Sequence, residues 1–107
     1  MPERITESRP VKVTLLHHAI PEAEVLFQDV GGEAVLLSLA RERYFALDPV
    51  GTRIWRAISR DPSLQVAFDA LLAEYDVDPA RLEADLLALV GQLREAGLVQ
   101  VGLVQGE

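Results

Sequence analysis

The chain has 107 residues, 50% hydrophobic and 25% charged, which predicts one domain with a small core and excludes wholesale disorder. Its net charge of −7 argues against general affinity for nucleic acid or anionic membrane, since both are driven by positive charge. No cysteine means no disulfide, thiolate catalysis or thiolate metal site, and no apolar run approaches the ~20 residues of a membrane span. The opening MPERITESRP lacks the apolar stretch of a signal peptide, so a cytoplasmic setting is the default.

Met1 to Pro10 is polar and reads as a loose tail. Val11, Val13 and Leu15 alternate with Lys12, Thr14 and Leu16, so Val11 to His17 reads as an extra strand. Pro21 breaks that pattern. Ala23 to Val30 is the first secure strand, with Val25, Phe27 and Val30 as core candidates. Gly31-Gly32 makes a tight turn into the next strand. There Val35, Leu37 and Leu39 alternate with Ala34, Leu36 and Ser38, the two-residue period of a strand. Ala40-Arg41-Glu42-Arg43 is a polar break of hairpin length. Tyr44-Phe45-Ala46-Leu47 is a second short strand, rich in aromatics. Consecutive antiparallel strands make a meander, and Tyr44 to Leu47 then lies at one edge.

Asp48-Pro49 starts a helix running to Ser59: Asp48 can cap it and Pro49 suits its first position. Val50, Ile54, Trp55 and Ile58 form one apolar stripe, with Trp55 as a core anchor and Gly51 as a point of close packing. Asp61-Pro62-Ser63 restarts the chain. Asp61 or Ser63 caps the second helix, and Pro62 suits its first turn. Leu64, Phe68, Leu71, Leu72 and Tyr75 give its stripe. Asp76-Val77 is a short turn, and Asp78-Pro79 opens the third and longest helix, which runs to about Ala96 before Gly97 stops it. Its core stripe is Leu82, Leu86, Leu89, Val90 and Leu93. Leu98 to Val104 alternates weakly. Strands before helices define an α+β chain: a three-stranded antiparallel β-meander followed by three helices, winged helix-turn-helix-like. Residues 1–22 form an N-terminal tail with the extra strand, 23–99 the domain, and 100–107 a tail or short strand.

Little in the chain suggests chemistry. His17 and His18 are the only histidines. Neighbours on a strand face opposite sides, so they share a metal poorly and read as an exposed pair near a flexible end. Asp48, Asp61 and Asp78 are explained as caps, and most other carboxylates as solvating charge on helix faces. No nucleophile–base pair, phosphate loop or metal cluster stands out, so neither an enzyme nor a bound cofactor is expected. Asp85 falls about 60° from the centre of the third helix's stripe, where it meets a nearby Arg or a ligand. Leu87 lies off the stripe, beside Glu83, Val90 and Arg94. Gly91 sits mid-helix, either because a neighbour packs closely or because a surface must stay shallow for a ligand.

Leu36-Leu37, Leu39, Arg43-Tyr44-Phe45, Leu47, Gly51 and Ile54-Trp55 carry a resemblance. Tyr75-Asp76-Val77, Asp85 and Glu95-Ala96-Gly97-Leu98 continue it. In order and spacing they are similar to the PqqD-like family, the peptide-binding RiPP recognition elements. The resemblance covers Ala23 to Val99. One departure is Glu42, near which many relatives have Gly, where a turn benefits from positive φ. The resemblance implies a winged-helix-like architecture. It also implies a stand-alone binder of the leader segment of a ribosomally synthesised and post-translationally modified peptide (RiPP), which hands the precursor to a processing enzyme. An edge strand suits that task, because an extended peptide can pair with its open backbone groups. Here the edge would be Tyr44, Phe45, Ala46 and Leu47, and the opposite wall Asp85, Leu86, Leu87, Val90 and Arg94. The aromatic edge and the Gly51…Ile54-Trp55 helix look more like the lasso-peptide versions, whose partner is a leader peptidase. In the pyrroloquinoline-quinone version the partner is a radical enzyme that uses S-adenosylmethionine.

Two other classes compete. A winged-helix DNA-binding regulator would use Asp78 to Ala96 as its recognition helix. There Arg81 and Arg94 stand against Glu83, Asp85 and Glu95, which phosphate would repel. A dimerisation module would pair the same strand edge with a second copy, making a homodimer.

Overall fold

The run from Val25 to Leu47 carries three stretches of period two between turn residues, and it folds as a meander. A computed structural model describes residues 12–31 and 33–103. Over these the order is β1 (His17–Pro21), β2 (Val25–Val30), β3 (Glu33–Ser38), β4 (Arg43–Leu47), α1 (Pro49–Arg60), α2 (Leu64–Glu74), α3 (Pro79–Glu95) and β5 (Val99–Leu103). β2, β3 and β4 form one antiparallel sheet in that order, with Phe27, Leu36 and Phe45 in register across it. Ala34, Leu36, Ser38 and Leu47 are buried on its inner face, and Val25, Phe27 and Phe45 are half-buried there. Leu26, Val30 and Tyr44 stand exposed on the outer face. Val30, a core candidate by sequence, is on that outer face because its parity differs from that of Val25 and Phe27. Leu39 is exposed too and belongs to the turn rather than to β3.

Each helix starts on the residue its cap requires. Asp48 Oδ1 accepts from Gly51 N–H at 2.7 Å, Ser63 Oγ from Val66 N–H at 3.3 Å, and Asp78 Oδ2 from Arg81 N–H at 3.0 Å. Of the two candidates at the second restart, Ser63 is the cap. Pro62 lies before the helix instead of in its first turn. Its carbonyl accepts from Ala19 N–H at 2.8 Å, and Asp61 ends α1. α1 packs against β1, β3, β4, α2 and α3, which makes it the hub of the core. Ile54, Trp55 and Ile58 bury as their spacing predicts. Val50 shares their stripe but lies in the first turn at the core's margin, 43% exposed. Gly51 is a close-packing site: a Cβ there would meet Asp48 Oδ1 at 3.1 Å and Leu47 Cδ2 at 3.3 Å.

The extra strand forms later than Val11 to His17. Val11 lies outside the described residues. Thr14 and His17 close a turn, with His17 N–H donating to the Thr14 carbonyl and Thr14 N–H to His17 Nδ1, both at 3.0 Å. That turn interrupts the alternation, which resumes as β1 and ends at Pro21. β1 pairs antiparallel with β5, His17 opposite Leu103 and Pro21 opposite Val99. This ribbon packs on α1, α2 and α3. His17 is therefore buried and His18 half-buried, not an exposed pair.

Two backbone positions are left-handed for a reason. Gly97, at φ 78°, ends α3: Leu98 N–H reaches back to the Leu93 carbonyl at 2.9 Å and Gly97 N–H to that of Arg94 at 3.0 Å. Glu42, at φ 55°, turns the β3–β4 hairpin and is the one non-glycine residue with positive φ among those described. The left-handed conformation costs an L-residue roughly 1–2 kcal/mol, and glycine gives back about 0.5–1 kcal/mol through its freer unfolded chain. Glu42→Gly should therefore stabilise the protein by roughly 0.5–1 kcal/mol, read as a higher urea midpoint at unchanged slope. A lower midpoint would show that the turn is not strained.

Candidate functional site

The site begins with the edge strand. Leu39 N–H donates to the Glu24 carbonyl opposite it at 3.0 Å. Backbone groups in an antiparallel ladder alternate, so Leu37 and Val35 also face β2. Leu36 and its neighbours Ala34 and Ser38 then bond β4, through Phe45, Leu47 and Arg43. What remains on β4 is the N–H and C=O of Tyr44 and Ala46, both directed away from the sheet. β4 has no strand on that side among the described residues. Phe45 and Leu47 point their side chains to the core, while Tyr44 and Ala46 are exposed.

Two depressions lie along α3. Beside the edge strand, toward the carboxyl end of α3, is a shallow groove of about 520 Å³ lined by Arg43 of β4 and by Ala88, Gly91, Gln92, Arg94, Glu95 and Ala96. Toward the amino end of α3 is a separate, narrower and mainly apolar cavity of about 180 Å³. Val50 and Ile54 of α1, Leu71 of α2, Val77 of the turn and Leu82 of α3 supply the apolar wall. Arg53, Arg81 and Asp85 bring charge, and Arg53 stacks over the Tyr75 ring at 4.3 Å. Along α3, Leu89 falls after the residues that line the cavity and among those that line the groove. A Cβ added to Gly51 would lie 3.5 Å from Leu89 and 3.3 Å from Leu47, so Leu89 faces the junction of β4 and α1. At roughly 100° per residue, Asp85, Ala88, Leu89, Gln92 and Ala96 share about a 100° arc, one flank of α3.

The expected wall is thus partly redrawn. Asp85 lines the apolar cavity, with Arg81 Nε 4.0 Å away, and Arg94 lines the groove beside β4. Leu86 and Val90 have no exposed surface and act as core. Leu87 sits roughly 160° around the helix from Leu89 and packs half-buried against the core, away from β4. Leu89, not Leu87, faces the junction of β4 and α1. Its signal was its position at the rim of the apolar stripe, four residues after Asp85. Gly91 meets nothing: a Cβ there would have no atom within 4 Å, which leaves the shallow-surface explanation. Among the described residues no group of His, Asp or Glu is arranged to hold a metal ion. No helix among them is long and apolar enough to cross a membrane.

A strand edge beside a helix flank, on a meander with three helices, is the architecture of a peptide-binding recognition element. The family model for coenzyme PQQ synthesis protein D (PqqD) matches residues 33–99. The chain belongs to the PqqD family, and within it is a PqqD-like RiPP recognition element. It is similar to the solved structure "TbiB1 in complex with the TbiA(beta) leader peptide", at 32% identity and a TM-score of 0.70, covering 80% of this chain and 99% of that one. A second structure, lasso peptide synthetase B1 complexed with the leader peptide, shares the fold at 24% identity and a TM-score of 0.65, covering 79% of this chain and 98% of that one. No curated protein matches the chain.

Proposed function

We propose that this protein binds the leader segment of a ribosomally synthesised precursor peptide by strand addition to β4. It then delivers the precursor to a processing enzyme, a leader peptidase in lasso-peptide biosynthesis. The observation that carries this reading is the pair of outward backbone sets at Tyr44 and Ala46, set beside the α3 groove. The likeness to a protein solved with its leader peptide supports it. In this reading the protein is a cytoplasmic binder rather than a catalyst, with no cofactor of its own, and neither nucleic acid nor membrane is its partner. The peptide's backbone pairs with Tyr44 and Ala46. Its side chains enter the two depressions, where Leu89 and the apolar cavity select them and Asp85, Arg81 and Arg94 meet polar neighbours. The family model is named for a quinone-pathway protein, so presentation to a radical enzyme that uses S-adenosylmethionine is the second reading.

Amide exchange with and without leader tests the first step. Protection should appear at Tyr44 and Ala46, while Phe45, already bonded to β3, changes less. Protection confined to β1 or β5 would place the groove elsewhere. The cavity has its own test. Val77 is 41% exposed, so Val77→Asp should leave the fold intact while weakening leader binding at least tenfold, as desolvating a carboxylate against apolar walls demands. Unchanged affinity by fluorescence anisotropy would remove the cavity from the peptide's path. Cleavage of precursor with and without the protein, against a radical enzyme as the other candidate, separates the two readings of its partner.

A further inference from the structure

We infer that the arginine face of α1 is a second docking surface, taken by an acidic segment of the enzyme that processes the leader-bound precursor. This rests on the leader-binding function proposed above. α1 carries Arg53, Arg56 and Arg60 and neither Asp nor Glu, in a chain whose net charge is −7. At roughly 100° per residue the three fall within about 60° of one another, and all are exposed. Two clefts flank them. One, of about 100 Å³ between α1 and α2, is lined by all three together with Glu74 and Tyr75. The other, of about 370 Å³, is lined by Phe27 of β2 with Trp55, Arg56, Ser59 and Arg60.

Two of the guanidinium groups are already held. Arg53 lies over Tyr75, and Arg56 donates to Asp29 at 2.9 Å while lying 5.4 Å from the centre of the Phe27 ring. Among the described residues Glu74 lines one of these clefts and Asp29 pairs with Arg56. Held forks lose less freedom on binding than loose ones. Cations beside aromatic rings and a serine hydroxyl suit a carboxylate carried next to an apolar side chain. The place on the fold decides whose carboxylate it is. Arg56 is tied to β2, at the opposite edge of the sheet from β4. Two strand spacings of roughly 4.8 Å separate those edges, and a peptide on β4 lies further out still. Arg56 and Arg60 therefore stay open while the leader is bound, and Arg53 is shared with the leader cavity. The occupant of the face is the molecule that must arrive with the leader in place.

The test uses the full chain saturated with leader, and the leader peptidase as probe. Arg56→Gln with Arg60→Gln removes charge from the face and leaves Arg53, which also lines the leader cavity. Peptidase affinity should fall at least tenfold by interferometry, and anisotropy should show unchanged leader affinity. Arg56→Lys with Arg60→Lys should recover most of the binding, and added salt should weaken the wild type more than the Gln pair. Unchanged peptidase affinity overturns the inference. So does a parallel loss of leader affinity, which would make the face part of the leader site, or displacement of the peptidase by a duplex oligonucleotide. A wild type that fails to bind leader at all defeats the proposed function in its own measurement, and this docking surface with it.

Discussion

Trp55→Ala lowers the stability of the protein by about 3–5 kcal/mol, the usual cost of a large-to-small aromatic change in a core. Trp55 is 4% exposed, between Ile54 and Ile58 on the helix that packs against five other elements. A void there opens in the helix on which both sheets and both other helices pack. The loss is a large share of the ~5–15 kcal/mol that holds a whole domain together. Urea unfolding followed by circular dichroism measures it. Where the variant remains folded, its leader affinity should match the wild type. A variant that melts like wild type yet loses the peptide would make Trp55 a contact residue and not a core anchor.

Ala46→Pro reduces leader affinity tenfold or more while leaving the sheet intact. The register directs Ala46 N–H out of the sheet, so proline removes no bond to β3, and an edge strand accepts it. What it removes is one of the two outward donors on β4. Net hydrogen bonds contribute about 0.5–1.5 kcal/mol each, and leaving the peptide's carbonyl buried without a donor costs about 1–3 kcal/mol. The ladder is short, and ordering the peptide costs about 2–5 kcal/mol. Backbone pairing at two residues therefore sets register but cannot bind tightly alone, and the depressions along α3 must supply the remainder. Anisotropy with labelled leader gives the affinity, and circular dichroism checks the fold. Wild-type affinity in the proline variant would move the ladder off β4.

The meander, the three helices and their caps were legible because each is written locally. Period two sets the faces of β2 and β3, and Asp48, Ser63, Asp78 and Gly97 punctuate the helices. What was not legible depends on which flank of an element meets which neighbour. Leu87 and Leu89 are both apolar and both near the stripe, and only the position of Gly51 and Leu47 shows that Leu89 faces β4. Val11 to His17 alternates well enough for a strand. A side chain–backbone turn at Thr14 and a distant partner, β5, moved the strand to His17–Pro21. The exposure expected of His17 and His18 fails for the same reason, since nothing local shows that β5 and the helices cover them. The match to the PqqD family was readable from ordered single residues, because turns, caps and core positions recur at fixed spacing even where no motif does.

The outer face of the three-stranded sheet has a consequence for the protein in solution. Leu26, Leu37 and Tyr44 stand in one row across β2, β3 and β4, with Val30 exposed further along β2. Such a face invites face-to-face stacking of copies, yet every copy carries a net charge of −7. At 0.1 M salt the Debye length is about 10 Å and copies repel before the faces touch; at 1 M it is about 3 Å and that barrier is gone. The charge that argues against general affinity for nucleic acid thus also opposes stacking of copies through the apolar sheet, and concentrated salt weakens that opposition.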